Sequence, residues 1–282
     1  MKNTFTLISC FILFSIGPAA TQTATEAYRL SVSDPLGTAR NLGAGNSMFA
    51  IGPDFSAIAS NPAGIAGFWK SEFTITMGGQ FNNTSSAFTE DRGDITQGNY
   101  STFTLPNVGF VLSSRQRNSR WLTSNWAMGY NRMAEYRRET NYSGSTLGSI
   151  TDSWSENAFG KTSDELNGFE EGLAYTSGAI YDFEEDRVYE TDYQLNPAYK
   201  LYKQENASLE GGKSELFIGY AANYDNKILI GATFNIPLVN YTEFRDYQEY
   251  DGGDNGIPFF NDLQYTSYVN STGSGINGKF GL

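Results

Sequence analysis

The chain has 282 residues, a formal net charge of −12, no histidine and a single cysteine, Cys10. Those counts exclude Ser-His-Asp and Cys-His catalysis, His-ligated zinc or haem, and a disulfide framework, and an acidic chain is not suited to nucleic acid. Aromatic residues make up 15% of the sequence although its mean hydropathy is −0.41, which argues against both disorder and a bundle of membrane helices.

Residues 1–20 read as a secretory signal: Lys2 supplies the basic start, residues 5–17 the apolar run and Pro18-Ala19-Ala20 the small residues, with cleavage expected between Ala19 and Ala24. The apolar run is too short for a spanning helix and continues past Cys10, which places that thiol too early for a lipoprotein cleavage box. Residues 21–67 form a segment too rich in Gly and Ala for a strand, closing on Asn61-Pro62-Ala63-Gly64-Ile65. Its apolar residues Met48, Phe49, Ile51, Phe55, Ile58 and Ile65 are the candidate lining of a path for a greasy ligand.

Six alternating runs follow, at about 69–81, 103–113, 121–138, 215–224, 228–247 and from 263 to the end. Phe73, Ile75, Met77 and Phe81 share one face of the first; Val108, Phe110 and Leu112 one face of the second; Trp126, Met128 and Tyr130 one face of the third. Leu216, Ile218, Tyr220, Ala222 and Tyr224 are in phase in the fourth, as are Ile228, Ile230, Ala232, Phe234 and Ile236 in the fifth. The connections at 115–120 and 225–227 are short and polar, whereas 82–102, 139–214 and 248–262 are long. Short turns alternating with long loops is the pattern of an all-β transmembrane antiparallel β-barrel, with the odd strands rising outward from the periplasm. A free sheet edge cannot be left in lipid. The chain stops partway along a strand without a terminal aromatic, so residues 68–282 are expected to be the first part of a longer barrel wall.

Several motifs have plainer explanations. Residues 273–278 satisfy G-x-G-x-x-G but lack the following helix a dinucleotide site needs, and read as a Gly-rich strand. Residues 251–256 lack the ligand spacing of a calcium loop and read as a loop tip. The acidic stretch 152–192 reads as a solvated loop, interrupted by Leu173-Ala174-Tyr175 and Ala179-Ile180-Tyr181, which suit a greasy patch over a barrel mouth. Phe68, Trp69, Trp121, Trp126, Tyr136 and Tyr241 are candidates for interfacial girdles. No residue set points to a catalytic centre, a metal or a cofactor.

The succession Gly37-Thr38-Ala39-Arg40, Gly43-Ala44-Gly45, Asp54-Phe55-Ser56 and Asn61-Pro62-Ala63-Gly64-Ile65, followed directly by a strand, resembles the N-terminal hatch of the FadL/TodX family of outer-membrane transporters for hydrophobic compounds. The resemblance implies a barrel of about fourteen strands in the outer membrane of a Gram-negative bacterium, plugged by residues 21–67. It implies passive, hatch-gated uptake of a hydrophobic or amphipathic small molecule such as a long-chain fatty acid, released in part sideways into the membrane. Asn61, Pro62, Ala63 and Gly64 would form the gate, Asn61 bonding to the barrel wall, Pro62 and Gly64 setting the hinge. The partners would be that ligand, outer-membrane lipid and lipopolysaccharide, around a monomeric barrel. Two other readings stand beside it: a structural or secretion-shuttle barrel that binds protein cargo, and a haem-uptake receptor, for which only Tyr or Met remains as an axial ligand.

Overall fold

The computed structural model describes residues 24–34, 37–88, 95–252 and 256–282. The expected signal segment and Cys10 lie outside these residues, as do the Phe49 side chain and the tip at 253–255. The fold is all-β and antiparallel. Among the described residues eight strands form: β1 (Glu72–Ser86), β2 (Thr96–Arg115), β3 (Trp121–Glu135), β4 (Arg138–Thr146), β5 (Leu201–Tyr224), β6 (Ile228–Tyr250), β7 (Asp262–Ser274) and β8 (Asn277–Gly281). They form one sheet in the order β1-β2-β3-β5-β6-β7, with β4 continuing β3 along β5 and β8 continuing β7 along β6. The six runs expected from the sequence therefore occupy six places in the sheet, two of them as broken strands: the third at 136–137 and the sixth at Gly275-Ile276, inside the glycine-rich stretch. Residues 277–281 pair with β6 as β8.

The strands run further into the expected long loops than the sequence suggested. β1 and β2 extend through most of 82–102, and β4 and the start of β5 take up both ends of 139–214. The connections at 116–120 and 225–227 remain short and lie at one end of the sheet; those at 87–95, 147–200 and 251–261 lie at the other.

Register places the apolar residues of every run on one face. One cross-strand row reads Phe73–Phe110–Met128–Ile218–Phe234, and the next reads Ile75–Val108–Tyr130–Leu216–Ile236. A third carries Leu112, Trp126, Tyr220, Ala232 and Phe280. These side chains have no layer packed over them: Phe73 is 68% exposed, Trp126 55% and Phe234 50%. Toward the long loops the same face turns polar, through Asn240, Asn206, Asp246, Gln264 and Thr266. Trp121 and Trp126 stand on the apolar face, and Trp69, exposed ahead of β1, lies against Arg115; Phe68, Tyr136 and Tyr241 are buried on the opposite face.

The opposite face is small and polar, with Thr74, Asn107, Gly109, Asn125, Gly129, Asn131, Glu215, Gly219 and Asn235 in register. It carries the N-terminal segment, made of α1 (Ala24–Ser31), α2 (Ala39–Gly43), α3 (Met48–Ile51) and two 3-10 turns, Phe55–Ala59 and Pro62–Gly67. Its main core is Phe55, Ile58, Ile65, Ala66 and Phe68 against Val111, Ala127, Phe217 and Ala221 of the sheet.

The acidic stretch is not simply a solvated loop. It contains α4 (Ile150–Ala158) and α5 (Glu171–Ser177), whose Trp154, Ala158 and Ala174 bury with Ile180 and Tyr189 and pack on Leu263 and Tyr265 of β7. Ser149 and Asp152 close α4 with reciprocal side-chain-to-backbone bonds. The fully buried Glu249 carboxylate of β6 accepts from Ser149 Oγ (2.5 Å), Ile150 N (2.9 Å) and Tyr247 Oη (2.6 Å), which fixes the helical region to the sheet. Asp251 is also buried, and Tyr199 Oη donates to its carbonyl (2.5 Å), so the start of the 251–256 tip belongs to this packed region.

Glu171 is buried at the start of α5, 2.9 Å from Lys161 Nζ, and accepts from Asn167 N at 3.2 Å. Burial works to raise its pKa, but the Lys161 bond and the backbone N–H groups of Glu171 and Asn167 outweigh it and hold the carboxyl below its ordinary value. A depressed carboxyl pKa contributes stability that is present above the unfolded value and is lost as pH falls through the folded one. Proteolysis within residues 147–200 is therefore expected to accelerate on acidification from neutral pH to below about 4. Glu171→Gln should weaken the region at pH 7 by about 1–3 kcal/mol and flatten that pH dependence. An unchanged cleavage profile across this range would count against the ion pair as the fastening of α5.

Candidate functional site

The N-terminal segment is knit together by two of the motifs that stand out in the sequence. Thr38 Oγ1 donates to the Asp54 carboxylate (2.8 and 2.9 Å), Thr38 N donates to Ser56 Oγ (2.6 Å), and Asp54 in turn accepts from Ser56 N (2.8 Å). Asp54 is almost fully buried, with Arg40 3.9 Å away. Gly37-Thr38-Ala39-Arg40 and Asp54-Phe55-Ser56 thus pack together, each satisfying polar groups of the other.

Below them the sheet is hollowed by glycine. Phe55 lies over Gly109 and Gly129, which are register partners on β2 and β3, with its ring 5.3 Å from that of Phe217. A Cβ at Gly129 would come within 2.6 Å of the Phe55 ring; one at Gly219 would lie 3.3 Å from Ile58, and one at Gly231 2.5 Å from the Pro62 carbonyl oxygen. Glycine in a strand interior marks such a close approach. Side chains of β2 and β3 then clamp the end of the segment. Thr123 Oγ1 donates to Ala66 O (2.7 Å), Ser113 Oγ to Phe68 O (2.9 Å), and Asn125 Nδ2 to Ile65 O (2.7 Å) and Phe68 O (2.9 Å).

The four residues expected as a gate sit at the foot of this seat. Asn61 caps the 3-10 turn by accepting from Ala63 N (3.1 Å), and its Nδ2 reaches Leu282 O, just past β8, at 3.4 Å. Pro62 takes the first position of the turn, and Pro62 and Ala63 are buried. Gly64 has no positive φ; it is needed because a Cβ there would lie 2.8 Å from Ala57 Cβ. Its role is close packing of the two turns rather than unusual backbone freedom.

The expected ligand-path residues fare differently. Phe55, Ile58 and Ile65 are 1–2% exposed and sealed inside the contact with the sheet, so they anchor the segment and border none of the main recesses. Met48 is half-buried and Ile51 exposed. The recesses lie higher, beside α1. One of about 420 Å³ is bounded by Leu30, Pro237, Val239 and Tyr241, with Arg29 and Lys213 at its margin. Arg29 stacks 4.6 Å above the Tyr241 ring and is paired with Glu243 at 3.2 Å. A second recess, about 440 Å³, shares Arg29 and continues past Tyr28, Asp34 and Tyr136 to Glu135 and Arg137. Among the described residues no cluster could hold a metal ion.

The sheet has a gap next to these recesses. β2 and β3 pair from Arg115↔Thr123 up to Asn107↔Asn131 and then part, although β2 stays paired with β1 and β3 with β5. Pro106, the next residue of β2, has no N–H to donate. β1 and β3 are irregular at the same level, between Thr76 and Gly78 and between Arg132 and Ala134. A recess of about 500 Å³ opens at the gap, lined by Phe103, Leu105, Tyr130, Arg132 and Leu238, and it shares Glu135 and Arg137 with the one on the covered face.

Compared with known proteins, the chain matches no family model, no curated protein and no solved structure. The functional reading thus rests on the molecule itself.

Sequence reasoning missed the seat of Gly109, Gly129, Gly219 and Gly231, the clamp of Thr123 and Asn125, and the gap. Pro106 was the available signal for the gap, since proline inside an otherwise alternating run marks interrupted pairing. Each glycine alone marks a close approach, but only the register shows that Gly109, Gly129 and Gly219 share one floor.

Proposed function

We propose that the chain is part of the wall and the plug of an outer-membrane β-barrel that passes hydrophobic or amphipathic small molecules passively, in the manner of the FadL/TodX family. The observation that carries this reading is the inverted polarity of the sheet. In water an antiparallel sheet packs its apolar face and solvates its polar one. Here the packed face is mostly small and polar, with Val111, Phe217 and Tyr241 as its larger apolar members, while rows of Phe, Ile, Met, Trp and Leu on the other face are left bare, as they would be against lipid. On β6 the bare apolar stretch is Ile228 to Leu238, about 34 Å of strand at ~3.4 Å per residue, or about 24 Å of height at a tilt near 45°. That matches the apolar band of about 25 Å expected of such barrels.

In this reading the sheet curls around residues 24–67 and is closed by further strands, because β1 and β7–β8 would otherwise leave unpaired edges in lipid. The seated segment blocks the lumen, ligand occupies the recesses beside α1, and the β2–β3 gap offers an exit sideways toward lipid. A tag inserted at Gly178 is expected to be reached on intact cells and one at Asn118 only after the outer membrane is opened. Removing the Asn61 cap should loosen the turn by about 1 kcal/mol and, if the turn gates, change uptake per correctly folded molecule of Asn61→Ala. The reverse tag pattern would defeat the orientation, and unchanged uptake would reduce the turn to a tether.

The protein-cargo reading has one observation in its favour: Phe159, Phe169 and Phe183 are 67–81% exposed on the folded 147–200 region. Recovery of one stoichiometric exported protein that is lost when these three become Ser would favour it over small-molecule passage.

A further inference from the structure

We propose that Arg137 is the breakable bolt of the β2–β3 gap, the side chain whose release joins the recess on the covered face to the one on the apolar face. The inference rests on the transport reading above and assigns its sideways exit to one residue.

Arg137 stands in the break between β3 and β4, directly above the gap. One of its guanidinium nitrogens is 2.9 Å from Glu210 Oε1 on β5, and another donates to Thr102 Oγ1 on β2 at 3.1 Å. The guanidinium also lies 5.0 Å from the ring centre of Tyr100 on β2. One side chain therefore spans from β5 to β2 at the level where β2 has lost its ladder partner. Higher up, Thr84 Oγ1 donates to Glu139 O (3.0 Å) and Thr96 Oγ1 meets Ser143 Oγ (3.3 Å), so the hairpin of β1 and β2 touches β4 again. Between that contact and the Asn107↔Asn131 pair, Arg137 is the crosspiece among the described residues.

A second ion pair borders the gap, and the contrast between the two assigns the moving part. Arg132 is bound to Glu135 at 3.0 Å and donates to Ser214 Oγ and Gly211 O, both at 3.0 Å, with the side chains of the pair 21% and 10% exposed. Several bonds in a desolvated setting make it a fixed sill. The Arg137 and Glu210 side chains are 37% and 59% exposed, and ion pairs this open to solvent contribute little to stability. An ion pair that is solvent-open, carried by one side chain and placed between two recesses serves poorly as a staple and well as a latch. Both recesses are bounded by Arg137 and Glu135, so swinging the guanidinium away merges them without breaking a ladder bond.

The test uses the full-length protein in the outer membrane, with uptake of the apolar fluorophore N-phenyl-1-naphthylamine normalised to heat-modifiable folded protein. Arg137→Ala is expected to raise the rate at least threefold and Arg137→Lys to stay near wild type. Glu210→Gln should fall between them and add nothing to Arg137→Ala in the double variant. Thr102→Cys with Arg137→Cys, joined by a short bis-maleimide, should lower the rate at least threefold relative to the same variant capped singly. Amide exchange over residues 101–106 should quicken in Arg137→Ala, a readout independent of transport. Wild-type uptake with all variants, the cross-link and the exchange unchanged overturns the bolt and leaves the transport reading standing. No uptake by folded wild-type protein overturns the transport reading, and the bolt with it.

Discussion

Ile218→Arg is expected to cost about 2–4 kcal/mol of stability in a bilayer, because Ile218 lies in the middle of the bare apolar rows, between Met128 and Phe234. Asn206→Arg, on the same face of the same strand but where that face is polar, should stay within about 0.5 kcal/mol. The measurement is reversible folding into bilayers by denaturant titration, with the two variants compared at equal protein and lipid. Gly219, the neighbour of Ile218, is not a fair control. It faces the packed side, where a Cβ would meet Thr233 Cγ2 at 2.6 Å, so an arginine there fails for steric reasons in any solvent. Equal tolerance of Ile218→Arg and Asn206→Arg would show that the apolar face does not meet hydrocarbon.

The second large effect is expected at Gly231. Its missing side chain leaves room for the Pro62 peptide: a Cβ would sit 2.5 Å from Pro62 O and 2.7 Å from Ala63 N. The turn has no free side to retreat to, since Asn61 crowds the backbone of Gly281 as well. Gly231→Val should therefore overpack the seat by about 1–3 kcal/mol and lift the Asn61–Gly64 turn from the sheet while the strands stay paired. Limited proteolysis is expected to cut within residues 37–71 in this variant and not in wild type. Gly273→Val, where a Cβ meets nothing within 4 Å, is the matched control. On the transport reading the same variant leaks small polar solutes. Equal protease resistance of the two valine variants would remove the glycine groove as the seat of the segment.

The strands were legible because each one carries its own pattern: Phe73, Ile75 and Met77 alternate with Thr74 and Thr76, and period-two alternation needs no knowledge of neighbours. Their ends were not, because beyond Phe81 and before Phe103 the pairing is carried almost wholly by Asn, Thr, Ser, Gln and Gly, with Tyr100 the one aromatic, and such residues are alike in strand and loop. That residues 24–67 would not form a strand was legible in their Gly, Ala and cap residues, since Thr38, Asp54 and Asn61 each accept from a backbone N–H two or three residues on. Which way the segment's apolar residues faced was not. Phe55 and Ile58 look like a ligand surface until Gly109, Gly129 and Gly219 are brought together from three strands, and only the register does that. The β3–β4 break was read through as one run for the same reason: Tyr136 keeps a bond to Gly211 O (3.1 Å), so the alternation barely falters.

The seat also fixes the order in which the molecule can be made. Its floor is assembled from β2, β3, β5 and β6, and Asn61 finds Leu282 across a separation of 221 residues. Contacts of such sequence separation form late, after the intervening chain has paid its loop-closure entropy. The stretch that is synthesised first is thus the last to pack, and Phe55, Ile58 and Ile65 stay uncovered throughout strand assembly. Aggregation during biogenesis should accordingly begin in the first third of the chain, and a chaperone that protects it has to hold that stretch until β6 is in place.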